Sequence, residues 1–152
     1  MATAQEIAKL REETGAGVME CKKALEEANG DINKAKTILA NSAEAIAKKK
    51  AERATKSGVL EAYVHAGRIG VLLEVDCESD FVAKNEDFKK MVHALVLQIA
   101  SMNPQTVEEL LTQESIHDSS KTVDAAIKEI VLKIRENIIV KRFVRYELGE
   151  DK

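Results

Sequence analysis

Aromatic side chains are scarce: the 152 residues include no tryptophan, two tyrosines and three phenylalanines. A core drawn from this inventory must be aliphatic, and each ring that does occur needs a reason for its place. Cysteine is nearly absent too. Cys21 and Cys77 stand alone, with no CxxC spacing and no histidine close by. That argues against a disulfide framework or a zinc site and for buried, idle thiols in a reducing compartment. Apolar runs fall far short of the roughly 18 residues that mark a membrane span, so no membrane partner is expected. The opening stretch MATAQEIAKLREE lacks a signal-peptide core and is too acidic for a transit peptide. A cytoplasmic protein is the expectation.

Reaction chemistry is missing as well. No GxGxxG, P-loop, GxSxG or HExxH occurs, and His65, His93 and His117 fall singly in a strand, a helix and a loop. Without a nucleophile–base constellation, neither an enzyme activity nor a cofactor or metal is expected. Positive charge is also short. The formal net charge is −3, and only AKKKAERATK, residues 47–56, is locally basic. Phosphate neutralisation dominates nucleic-acid affinity, so no nucleic-acid partner is expected and the basic stretch reads as a solvated helix face.

What is present falls into two units. The first is helical. Ile7 and Leu10 make a short apolar stripe ending at the glycines of TGAG, residues 14–17. Val18, Cys21, Ala24, Leu25 and Ala28 recur at helical spacing, Asn29-Gly30 closes that helix, and Asp31 can cap the next, which carries Ile32, Ala35, Ile38 and Leu39. Three short amphipathic helices make a compact module, and the Ala/Lys-rich stretch from Ser42 to about Thr55 reads as a helical connector. The expected boundary puts residues 1–54 in this module and 55–152 in a core.

At Gly58 the period changes to two. Leu60, Ala62 and Val64 alternate with Glu61, Tyr63 and His65; after Ala66-Gly67, Ile69, Val71, Leu73 and Val75 alternate in turn. That is a β-hairpin pattern. A helix follows with Phe88, Met91, Val92, Leu95 and Ile99, then a short helix opened by Thr106 and Glu109 at capping-box spacing. Residues 113–121 read as polar loop, and Val123, Ile127, Ile130, Val131 and Ile134 mark another helix. A third strand, IIVKRFVRYEL (138–148), would place Ile138, Val140, Val144, Tyr146 and Leu148 on one face. The expected fold is α+β: a three-stranded antiparallel sheet packed with helices, behind an N-terminal three-helix module.

Between the hairpin and the long helix lies ESDFVAKNEDF (78–88), with Phe81 at the mouth of a helix beside Asp80. Two readings are open. The ring tucks back as a hydrophobic staple, or it stands out as an anchor for a partner's pocket.

Three stretches carry a family resemblance. LREETGAGVMECKKALEEANGD (10–31), RIGVLLEVDCESDFVAKNEDF (68–88) and ENIIVKRFVRYELG (136–149) resemble, in order, two signatures and the closing strand of bacterial elongation factor Ts. The resemblance implies a ubiquitin-associated-like helical module before the core. It implies nucleotide exchange on elongation factor Tu, the GTPase that delivers aminoacyl-tRNA, met both GDP-bound and nucleotide-free. It implies that Asp80 and Phe81, flanked by Ser79 and Val82, enter that GTPase, the ring disturbing its Mg²⁺ and phosphate contacts. Met19 and Lys23 match positions of the module's contact, His65 matches a histidine of the family's second core repeat, and Ile134 falls at a further contact. Two departures stand out: Ser79 replaces the usual threonine, and Arg135 replaces the glycine of a common Lys-Ile-Gly-Glu-Asn run. Longer members carry two core repeats where this chain encodes one, so a homodimer is expected. A binding module or scaffold without exchange activity is the alternative.

Overall fold

Short polar side chains and left-handed residues set the ends of the first helices. Thr3 and Glu6 form a reciprocal capping box at the start of α1 (Ala4–Thr14), and Gly15 ends it at φ 73°. Gly17 opens α2 (Val18–Glu27), its N–H held by the Glu20 carboxylate at 2.8 Å. Asn29 and Gly30 then turn the chain at φ 52° and 82°, and Asp31 caps α3 (Ile32–Lys50) by accepting from the Asn33 and Lys34 amides. The anticipated connector is the second half of this same helix.

The computed structural model describes residues 1–150. Beyond α3, the order is β1 (Ser57–His65), β2 (Ile69–Cys77), α4 (Asp80–Ala83), α5 (Glu86–Met102), α6 (Val107–Thr112), α7 (Val123–Ile134) and β3 (Ile138–Glu147). The fold is α+β, as the patterns imply. The strands pair antiparallel in the order β1-β2-β3. Ala66 and Gly67 both take positive φ in the hairpin turn, where the Arg68 amide donates to the His65 carbonyl at 2.9 Å.

One face of the sheet is covered. Val71, Leu73, Val75 and Cys77 of β2 pack with Phe88, Val92, Val96 and Ile99 of α5, and Ile127 and Val131 of α7 complete this core. A second core gathers Leu10, Cys21, Leu25, Leu39 and Ala43 of the N-terminal helices around Leu132 of α7. Helix α7 therefore belongs to both: its Ile127 and Val131 look toward the sheet, its Leu132 toward the helical module.

The third strand departs from strict alternation. Glu74 pairs with Arg142 but Val75 pairs with Val140, leaving Lys141 as the extra residue of a β-bulge. One inserted residue flips every later side chain to the other face. Ile138 and Val140 are buried under the helices, whereas Val144, Tyr146 and Leu148 emerge on the open face. There they join Leu60 and Val64 of β1 and Leu72 of β2, all exposed.

Candidate functional site

The Phe81 segment is built by two caps placed close together. Ser79 is extended at φ −130° and its hydroxyl accepts from the Val82 amide at 3.3 Å, starting α4. Six residues later Asn85 accepts from the Asp87 and Phe88 amides and starts α5. The four-residue helix between them turns Val82 and Ala83 toward the core. Val82 is 4% exposed, whereas Phe81 stands 83% exposed. The staple reading fails, because the ring covers nothing of its own chain. Asp80, also exposed, accepts a hydrogen bond from the Ser57 hydroxyl at the start of β1.

This turn is stitched to the chain on its other side. The Glu136 carboxylate accepts from the Ser79 amide at 3.0 Å with one oxygen and from the Ser79 hydroxyl at 2.6 Å with the other. Glu78 accepts from the Asn137 amide and lies 3.7 Å from Arg53. Asn137, itself buried, donates its side-chain amide to the carbonyls of Ala51 and Arg53. Below them the Cys77 thiol is pushed up by burial and by the Glu136 charge, and Cys21 is pushed up by burial. Both thiols are free and fully buried.

Arg135 occupies the left-handed C-cap of α7, at φ 61° and ψ 30°. The backbone thus keeps the conformation that glycine adopts most readily, although the side chain is large. That side chain reaches Glu20 of α2 at 3.0 Å, and Lys50 donates to the Arg135 carbonyl at 2.6 Å. Two successive residues, Arg135 and Glu136, therefore touch the helical module and the Phe81 turn. Met19 and Lys23, both exposed on α2, flank the residue that Arg135 contacts. Ile134 is half-buried against the main core.

His65 lies elsewhere. It closes β1 at the end opposite Ser57, the hydrogen-bond partner of Asp80, and at ~3.3 Å per residue the strand separates it from Ser57 by about 26 Å. Its Nδ1 is 2.8 Å from the Tyr63 hydroxyl. Sequence reasoning missed Glu136, Asn137, Arg53 and Ser57. Each acts across a long separation in the chain, which periodicity does not register; only the Glu-Asn pair opening the third strand gave a local mark.

Chemically the site offers an apolar ring presented to solvent beside a carboxylate. Among the described residues no group of His, Cys, Asp and Glu could hold a metal ion, and no helix is long and apolar enough to cross a membrane. The model of the family described as Elongation factor TS matches residues 78–152. The elongation factor Ts of Coprothermobacter proteolyticus is 41% identical over 190 positions, covering 95% of this chain and 96% of that one. That of Thermotoga neapolitana is 43% identical, with 95% and 96% covered, and that of Thermoanaerobacter sp. 40%, with 99% and 96% covered. The chain belongs to the elongation factor Ts family. It is thereby a member of a family of translation elongation factors. The match to the Coprothermobacter protein runs over 190 positions against 152 residues here, so that relative carries positions with no counterpart in this chain.

Proposed function

We propose that this protein is a guanine nucleotide exchange factor for elongation factor Tu, acting in the cytoplasm, with Phe81 as the inserted group. The observation that carries the reading is the pairing of an 83% exposed Phe81 with a buried Val82 on a helix capped at both ends. Such a ring gains by entering a partner. An exchange factor needs no reaction chemistry; it must bind the nucleotide-free state better than the GDP state. Only that difference shifts the partner's equilibrium, and by reciprocity GDP must weaken the factor's hold. An apolar wedge meets the requirement when its pocket opens in one state alone. Asp80 and Ser79 act beside it, Val82 seats it, and Met19, Lys23 and Ile134 supply a second line of contact from the module, residues 1–54, and from the edge of the core, residues 55–152.

The protein works as a homodimer in this reading. Leu60, Val64, Leu72, Val144 and Tyr146 form an open apolar sheet face, and a second copy of the same face is the partner that a single-repeat chain can supply. The distance of His65 from Phe81 within one subunit supports its acting from the opposite one.

Release of labelled GDP from purified elongation factor Tu tests the proposal. Catalytic amounts of the factor should accelerate release, and excess GDP should dissociate the complex. Unchanged release at saturating factor, with the complex still forming, leaves a scaffold without exchange activity.

A further inference from the structure

The exposed ring depends on a short helix that cannot hold itself. Four residues make barely one turn, far below the length at which a helix is stable alone, so the direction of Phe81 must be set by what grips the turn from outside. Besides the burial of Val82, two carboxylate contacts hold it: Ser57 on Asp80, and Glu136 on Ser79. The second has a consequence for polarity. The Ser79 hydroxyl donates to Glu136, which leaves its lone pairs to accept from the Val82 amide. A carboxylate is acceptor-only, so Glu136 fixes the hydroxyl in the orientation the N-cap requires. It also engages the Ser79 amide, so both donors of that residue end on one charged group.

We propose that Glu136 is a positioning residue for Phe81: by taking both donors of Ser79 it locks the first turn of α4 and fixes the direction of the ring. This rests on the exchange reading above. The lock is anchored in turn. Arg135 before it is tied to Glu20 and Lys50 of the helical module, and Asn137 after it is tied to Glu78 and to the end of α3. The turn of residues 135–137 thus sets the ring and the module in a fixed relation. Partner surfaces that must be met at two places favour such preorganisation, because less freedom is lost on binding.

Glu136→Gln is the informative change. Its size is kept, but its NH₂ group must face either the Ser79 amide, donor against donor, or the Ser79 hydroxyl, whose orientation it reverses. The dissociation constant of the nucleotide-free complex with elongation factor Tu and the rate of GDP release are measured for wild type, Glu136→Gln, Phe81→Ala and the double variant. All are measured well below their melting temperatures. Loss of one charge-assisted hydrogen bond implies binding about tenfold weaker for Glu136→Gln. In the Phe81→Ala background the same change should have almost no further effect, because the residue acts through the ring. Ser79→Ala, which removes the same hydroxyl, should behave alike and serves if Glu136→Gln folds poorly. An undiminished effect in the double variant overturns the positioning role, as does wild-type binding by Glu136→Gln; in both cases the exchange reading survives. If Phe81→Ala alone binds and releases GDP as wild type does, the wedge falls and the positioning role with it.

Discussion

Phe81 is exposed because the residues on either side of it are committed: Ser79 to Glu136, Asp80 to Ser57, Val82 to the core. Truncating it should therefore leave the fold alone. Burying a phenylalanine in a partner is worth roughly 1.5–3 kcal/mol, so Phe81→Ala should weaken the nucleotide-free complex about 10- to 100-fold with an unchanged melting temperature. Parallel melts and GDP-release rates decide; a large loss of stability with intact release would contradict the exposure. The oddity of this ring was legible in the sequence, because a large apolar group beside a cap has no periodic partners. Its grip was not: Glu136 lies far along the chain from Ser79, and no local pattern joins them. A second residue-scale consequence concerns Asp76. Burial first, and then its hydrogen bond to Glu74, push this carboxyl above its ordinary value of 3.8, against Lys141 and Arg142, which pull it down. The same hydrogen bond, and then Arg142, hold Glu74 low. A raised carboxyl binds its proton more tightly in the folded state, so its contribution is present below the ordinary value and lost as pH rises through the raised one. Asp76→Asn mimics the protonated form. The gain in melting temperature over wild type should be larger at neutral pH than near the ordinary carboxyl value, and an equal shift at both would contradict the assignment.

At the scale of elements, the caps and turns of the helices were readable and the sheet faces only partly so. Asp31, Thr106 and Asn29-Gly30 end or start helices where their chemistry places them. The third strand misled because alternation carries no mark of an inserted residue; Lys141 looks like any exposed lysine until its pairing is known. The bulge is what separates the core residues Ile138 and Val140 from the open-face residues Val144 and Tyr146. At the end of α7 the glycine position of the family run keeps its left-handed backbone under an arginine. An L-residue there is disfavoured by roughly 1–2 kcal/mol. The pair with Glu20 returns about 0.2–1 kcal/mol at low salt, and the greater unfolded-chain freedom of a glycine offsets about 0.4–1 kcal/mol more. Salt screens the pair and leaves the backbone term, so Arg135→Gly should be close to wild type in stability at low ionic strength. It should be the more stable protein at about 1 M salt. Melts at the two ionic strengths check the sign; an advantage that shrinks with salt would show that the pair does not offset the backbone.

For the whole molecule, the two cores meet on α7, where Leu132 is buried among the N-terminal helices. Removing residues 1–54 exposes that side chain and takes away the carbonyls of Ala51 and Arg53 from Asn137, a buried donor whose loss of partners costs about 1–3 kcal/mol. The remainder should keep its sheet, since α5 covers it independently, but melt at lower temperature and bind elongation factor Tu more weakly. Circular dichroism on residues 55–152 tests this; loss of all cooperative structure would mean that the module is part of one folding unit.

The open sheet face bears on the assembly. Leu72 and Val144 are cross-strand partners at its centre, flanked by Ala62 of β1, and a carboxylate placed among them would be buried in any face-to-face pairing. Leu72→Glu should therefore give a monomer by sedimentation at micromolar concentration where wild type should sediment as a dimer, at little cost to a subunit in which that position is already partly exposed. A wild-type monomer would remove the dimer outright. The arrangement of the site within it can be read by mixing variants. Suppose each exchange site combines Phe81 of one subunit with His65 of the other. A mixed dimer of Phe81→Ala and His65→Ala subunits then contains one site with neither residue and one with both intact. Each homodimeric variant should be slow in GDP release, and mixing them under exchange of subunits should restore activity toward half the wild-type rate per mixed dimer. If Phe81 and His65 served the same site from one chain, every site in the mixture would still lack one of the two. Mixing would then restore nothing.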